Sequence, residues 1–425
     1  MRHLNETILI VDAGGSLART LVHAIRDREV YCELVSSRRF LEGDHGDQDQ
    51  IRGLVVTGRA GEISDDLREK LNSVGTPVLV LDQESLDAGR NESLDRILAE
   101  FLFGTCGCQG NWTVDRYIDE MVAEIRGTVG GKKVICGLSG GVDSSVAAFL
   151  VHRAVGDQLT GVFVDHGFMR KDEPDMVRRM FSDQYQIPLV FVDATDRFLK
   201  EVEDVLDPEI KRKRIGETFI RVFESEARKI DASYLVQGTI YPDVIESGED
   251  GQVVKSHHNV GGLPDRIHFE GIVEPLRFLF KEEVRAVGRA LGLPPAMVDR
   301  QPFPGPGLAI RCLGGITREK LDMLRKADAI FREEIETKGY RDQASQYFAV
   351  MTGLQSVGVT DGARTYDYTI ALRAVKTDDF MAALPVVFPW DFLQHVSMRI
   401  TSEVPHVSRV VYELTGKPPA TIEWE

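Results

Sequence analysis

Cysteine is scarce. Five residues in 425, at positions 32, 106, 108, 136 and 312, cannot make a disulfide framework for a chain this long, so they read as reduced thiols. Cys106-Gly-Cys108 has no second cysteine pair or nearby histidine, which makes it weak evidence for metal. No run approaches the roughly 18 apolar residues of a membrane span. Met1-Arg2-His3 leads into an apolar strand rather than a signal peptide, so a cytoplasmic location is expected. Positive charge is also short: 51 Lys+Arg against 67 Asp+Glu leave a net charge of −16, which opposes general binding to nucleic acid. A free nucleotide needs only a local cationic pocket. Internal repeats and low-complexity tracts are missing too.

The length allows two to four domains, and 43% hydrophobic with 28% charged residues is ordinary globular composition. Apolar runs at 7–12, 30–35, 54–57 and 77–81 alternate with helical patterns at 16–27 and 65–73, which predicts a small parallel sheet. Residues 104–113, rich in small side chains, read as a linker before a helix over 114–127. A second set of strands is expected at 134–138, 159–165, 188–193 and 234–237, with charged amphipathic helices between them. This again is a doubly wound α/β pattern. Ligands of such sheets bind beyond the carboxyl ends of the strands, which puts 139–145, 165–170 and 238–243 on one rim. Near 297 the texture changes, and a Pro/Gly-rich stretch at 302–308 leads to a helix at 319–336 and further strands.

The strand at 134–138 runs into S-G-G-V-D-S-S (139–145) and a helix. Free N–H groups and the helix dipole attract anions at such a turn. Gly140 and Gly141 let the backbone approach a phosphate, and Ser139, Ser144 and Ser145 add hydroxyl donors. The lysine of G-x-x-x-x-G-K-[ST] is missing, so this is not a Walker loop. A plain β-turn before a core helix would look the same in isolation. The pattern resembles the pyrophosphate loop of the N-type ATP pyrophosphatases, which cleave ATP between the α- and β-phosphates.

Five further motifs, F-V-D-H-G (163–167), Q-G-T-I-Y-P-D-V-I-E-S (237–247), K-S-H-H-N-V-G-G-L-P (255–264), P-F-P-G-P-G-L (302–308) and G-K-P-P-A-T-I-E-W-E (416–425), resemble the GMP synthase family in order. The start of the chain resembles that family's class I glutamine amidotransferase domain. There the strand at 77–81 would end in a nucleophilic cysteine, but V-L-V-L-D-Q-E places Asp82 in that position. A carboxylate cannot do this acyl transfer. About a hundred residues that would carry the family's catalytic His and Glu also have no counterpart.

The resemblance implies three segments: a degenerate amidotransferase-like domain at 1–103, a synthetase at 104–297, and an α+β dimerisation and XMP-binding domain at 298–425. It implies that ATP and Mg²⁺ adenylate XMP at O2 and that ammonia, free or from a separate glutaminase, then aminates C2. For the phosphates it assigns Ser139, Gly140, Gly141, Val142, Asp143, Ser144, Ser145 and Lys281, with Asp143 also near the metal. It assigns Asp243 and Glu246 as an acidic pair, and Lys255, His257 and His258 to a closing lid. Adjacent histidines are poorly placed to share one zinc. Arg311, Lys417, Ile422 and Glu423 are assigned to XMP, which requires a docked rather than frayed tail, and Pro418, Pro419, Ile422 and Trp424 favour docking. A homodimer is expected, with the aromatics of 388–392 either at its interface or inside the domain. Two other readings stay open: a paralogue in a secondary purine pathway that uses another amine or nucleotide, and a regulatory nucleotide-binding protein.

Overall fold

Alternation along the first strand decides how the N-terminal region is layered. Strand β1 (Thr7–Asp12) turns Ile8 and Ile10 to one side and Leu9 and Val11 to the other, and all four are buried, so both faces must be covered. Helix Leu17–Arg26 covers the first face with Leu17, Leu21, Val22 and Ile25. Helix Asp65–Ser73 covers the second with Leu67 and Leu71, and its Ser64 cap accepts the Leu67 N–H at 3.2 Å. With β2 (Tyr31–Ser36), β3 (Ile51–Thr57) and β4 (Val78–Leu81), the result is a parallel sheet in the order β2-β1-β3-β4.

The computed structural model describes residues 6–14, 17–43, 50–58, 61–81, 91–247, 269–360, 362–377 and 381–425. The chain divides into two compact units. The first holds this sheet and the other described residues of Met1–Gly130, with those of the segments Thr239–Val254 and Pro275–Gly292. Its returning segments are tied in around Arg26, which stacks on Tyr31 and Trp112 at 4.4 and 4.6 Å and donates to the Cys32 carbonyl at 2.8 Å and to Glu283 at 3.2 Å. Glu283 also accepts the Trp112 indole N–H at 2.6 Å. Tyr117 donates to the Pro275 carbonyl at 2.6 Å, and the Tyr241 hydroxyl accepts the Leu34 N–H at 2.7 Å. Residues 104–113 therefore correct the linker expectation. Cys108 and Trp112 are buried in this unit, because an indole and a thiol have more to gain from the core than from water. Burial pushes the Cys106 thiol up to about 12 and Cys108 to about 11, and all five cysteines are free.

The second unit comprises the described residues of Gly131–Gly238, Lys255–Glu274 and Leu293–Glu425. Its parallel sheet is built from β5 (Val134–Leu138), β6 (Leu159–Asp165), β7 (Leu189–Asp193), β8 (Tyr234–Val236) and β9 (Gly271–Val273), in the order β7-β6-β5-β8-β9. Strand β5 is central. The chain leaves it toward β6 on one side and later returns to β8 on the other, so the end of β5 is a topological switch point. An antiparallel sheet of β10 (Gln346–Thr360), β11 (Ala363–Lys376) and β12 (Leu384–Pro385) follows, with β13 (Val407–Tyr412) parallel to β11. One apolar cluster joins Ile135 and Val162 of this unit's parallel sheet to Leu308, Phe331, Met351 and Phe388. Phe388 and Phe392 lie inside it, whereas Trp390 is 78% exposed. Among the described residues, no helix is long and apolar enough to cross a membrane.

Candidate active site

Leu138 ends β5 as a core residue, and the chain must turn within three residues to start helix Val142–Val155. Gly140 makes that turn in the left-handed region at φ +75°, where a side chain is strained. Gly141 is different: its φ of −77° suits any residue, and an added Cβ would meet only Ser139 Oγ, at 3.2 Å. As helix N-cap, Gly141 supplies no side-chain acceptor, and the dipole's positive end faces the turn. The serines divide the work. Ser139 and Ser144 face each other, with their hydroxyl oxygens 3.1 Å apart at an exposed site. Ser145 is fully buried and donates to the Gly141 carbonyl at 2.8 Å, so its hydroxyl braces the turn. Val142 is buried, and Asp143 is half-buried in the first turn.

Neighbouring strand ends close on this loop. An added Cβ on Gly238, just beyond β8, would stand 3.3 Å from the Ser144 amide nitrogen. At the end of β6, Asp165 accepts the Gly167 N–H at 2.9 Å, and its carboxyl is raised chiefly by burial. Burial and nearby Arg325 push His166 down to about 4, so the imidazole is neutral near pH 7 and its Nδ1 accepts the Phe168 N–H at 3.0 Å. The Phe168 carbonyl accepts the Leu308 N–H at 2.7 Å, which seats the Pro/Gly-rich segment under the rim.

Beneath the loop lies a buried arginine cluster. Arg300 donates to the Gly140 carbonyl at 2.6 Å and pairs with Glu173, whose other oxygen accepts the Arg170 N–H at 2.9 Å. The Arg170 guanidinium is 2% exposed, stacks on Phe303 at 4.1 Å and faces Asp328 at 3.8 Å. Arg311, 1% exposed, lies over Phe348 at 3.8 Å and holds Glu423 through two bonds of 2.9 and 2.7 Å.

That pair is one of several anchors on the tail. Arg373 is fully buried on β11 and donates to the carbonyls of Thr415, Thr421 and Ile422 while pairing with Glu413 at 2.9 Å. Lys211, also fully buried, reaches Glu425 at 2.5 Å. Ile422 packs with Phe348 and Val350, and Lys417 pairs through its backbone with Ala383. The tail is docked, as its prolines and apolar residues led one to expect.

The GMP synthase C terminal domain family matches residues 333–424, and the NAD synthase family matches residues 114–215. A "GMP synthase [glutamine-hydrolyzing]" from Clostridium botulinum is 42% identical over 99% of this chain and 99% of its own length. The chain belongs to the GMP synthase family. A relative of the same name from Acetivibrio thermocellus is 61% identical over 77% of this chain, which spans 65% of that relative's length. Among solved structures, NMN synthetase from Francisella tularensis overlaps 49% of this chain and 84% of its own at 15% identity, with a TM-score of 0.37, too loose a superposition to identify an activity.

Within this family frame, the structure brings the loop, Arg311 and the tail into one unit. Asp243 and Lys281 belong to the first unit. Asp243 accepts the Ile240 N–H at 3.1 Å in the first turn of helix Tyr241–Ser247; Glu246 lies three residues on, and its side chain is outside the described residues. Lys281 begins helix Lys281–Ala290 and is half-buried. Asp82, Lys255, His257 and His258 lie outside the described residues. Arg300, Glu173 and Arg373 escaped the reading of the sequence. Arg300 stands just before the Pro/Gly-rich motif, and Arg170 and Glu173 are three apart after F-V-D-H-G, yet nothing in those spacings reveals that they meet.

Proposed function

We propose that the chain is an ATP-dependent XMP aminase of the AMP-forming type, driven by ammonia rather than by its own glutaminase. One observation supports this most: the pyrophosphate loop and the docked tail rest on the same buried arginine cluster, with Phe303 between Arg170 and Arg311. In this reading Ser139, Ser144 and the amides of 140–144 hold the leaving pyrophosphate so that the α-phosphorus meets the xanthine O2, while Ser145 braces the turn. Asp143, a carboxylate beside the loop, would help hold the Mg²⁺ that accompanies ATP, which when bound would neutralise phosphate charge. Lys417, Ile422 and Glu423 position XMP, and Arg311 acts through Glu423. Ammonia then attacks C2 and AMP leaves, with Asp243 and Glu246 assisting proton removal, Lys281 contacting phosphate, and Lys255, His257 and His258 shielding the adenylate from water.

The three segments 1–103, 104–297 and 298–425 and a cytoplasmic location belong to the same proposal. Asp82 in the nucleophile position supports ammonia as the nitrogen source. Given XMP, ATP and Mg²⁺, the purified chain should form GMP with ammonium and none with glutamine; glutamine-dependent GMP formation would overturn the ammonia reading. AMP release with IMP or another purine nucleotide in preference to XMP would instead identify a paralogue, and no AMP release at all would leave a regulatory binder.

A homodimer through 298–425 is also proposed. Strands β10 and β11 expose Leu354 at mid-strand and Val359 and Tyr366 near the hairpin, at 67, 72 and 72%, and Val387 and Trp390 are 89 and 78% exposed. Sedimentation at micromolar concentration should show a dimer, and a monomer would count against it.

A further inference from the structure

We infer that Arg300 is a positioning residue that locks the Gly140–Gly141 peptide with its N–H turned toward the phosphate side of the loop. The inference rests on the reading of 139–145 as a pyrophosphate loop and names a residue that acts on it from below.

The carbonyl of a trans peptide and the N–H of the following residue point in opposite directions. Arg300 Nη1 holds the Gly140 carbonyl at 2.6 Å on the buried side. The Gly141 N–H is thereby sent outward, where it meets the exposed Ser139 hydroxyl at a long 3.3 Å, a contact that a phosphate oxygen can replace. Among the described residues, only that long Ser139 contact otherwise resists a flip of the peptide. Rotation would turn Gly141 from its φ of −77° into the positive-φ region that glycine enters freely, and Gly140 is a glycine as well. A flipped peptide would aim a carbonyl oxygen at the phosphate and repel it.

Arg300 is itself held rigidly. Its other nitrogen pairs with Glu173, which is 4% exposed and is fixed in turn by the Arg170 N–H. The neighbouring Gln301 is stapled to β10 by two bonds with Tyr347, at 3.1 and 2.9 Å. Burial and nearby Arg332 lower the guanidinium only to about 10, so it is charged at neutral pH. The loop thus keeps two glycines for close approach while a buried cation supplies the rigidity they lack.

The test is the binding of inorganic pyrophosphate, ATP and XMP by calorimetry to the full chain. Arg300→Met should weaken pyrophosphate and ATP about 10- to 100-fold, the factor one charge-assisted hydrogen bond is worth. XMP affinity should stay within about twofold, as at an independent site. Arg300→Lys should fall between, since an ammonium can reach the carbonyl but cannot fork to Glu173 as well. If the unpaired Glu173 prevents folding, Arg300→Met with Glu173→Gln carries the same test.

The diagnostic arm is Gly141→Ala, which leaves the observed φ open and disfavours the flipped one. In that background Arg300→Met should cost less than about threefold. Equal pyrophosphate affinity in Arg300→Met and the unaltered chain overturns the lock while leaving the loop's assignment standing. A parallel loss of XMP binding, or the same penalty with and without Gly141→Ala, makes Arg300 general scaffold and also overturns it. Failure of the unaltered chain to bind pyrophosphate removes the loop assignment, and the lock with it.

Discussion

Gly140→Val should leave a folded protein whose XMP- and ammonium-dependent release of pyrophosphate is reduced about 100-fold or more. The residue sits at φ +75°, where a β-branched side chain is a genuine outlier and even an ordinary one costs about 1–2 kcal/mol. A Cβ there would already be in van der Waals contact with Val177 Cγ2 at 3.4 Å and with Arg300 Nη1 and Met169 Cε at 3.8 Å, so valine's two further methyl groups add crowding to the backbone strain. The loop would relieve this by shifting toward solvent, and a shift of about 1 Å in groups that hold a reacting phosphate is enough to cost about 100-fold. Gly141→Ala is the control, because its backbone angle is ordinary and its Cβ meets only a serine hydroxyl that can rotate away. It should retain most of the activity. If the two variants lose activity equally, the requirement is for small size across the loop rather than for left-handed backbone at one position.

Gly140 and Gly141 look alike in the sequence, and only the direction of the turn separates them. What was legible is what is local. The spacing of apolar residues gave β5 at 134–138, β6 at 159–165 and the helix at 65–73 with their observed bounds. Six motifs in order gave the family, and Pro418, Pro419 and Ile422 gave a docked tail. Contacts between distant residues were hidden. Arg300 meets Gly140 across 160 positions and Arg311 meets Glu423 across 112, and a lone arginine before a proline carries no sign of either partner. Residues 104–113 misled because glycines and small residues suggest a linker, while Cys108 and Trp112 within them are core residues. Phe388 and Phe392 went to the core and Trp390 to the surface because three aromatics in five residues cannot all face one way from a helix start.

Arg373→Met should raise the KM for XMP about 100-fold or more while leaving pyrophosphate binding close to that of the unaltered chain. Arg373 is fully buried in β11 and serves four acceptors of the tail region: the carbonyls of Thr415, Thr421 and Ile422 and the Glu413 carboxylate. Methionine fills much of the same space but donates nothing, so three carbonyls lose this donor and the Glu413 carboxylate keeps the Trp424 indole N–H but not its cation. Breaking a buried pair on one side costs about 3–5 kcal/mol. The sheet does not have to bear that cost, because the tail is the outermost layer over this cation. The cheaper response is for 415–425 to lift away, so that its carbonyls return to water. Lifting would also withdraw Glu423 from Arg311 and Ile422 from its packing against Phe348, and with them the residues proposed to position XMP. The loop at 139–145 keeps its own support through Arg300 and Ser145, which is why pyrophosphate binding should persist. Faster hydrogen exchange confined to 415–425 would accompany the loss. If exchange there rises while the KM for XMP stays unchanged, the tail is a docked strand without a ligand, and the XMP site lies elsewhere.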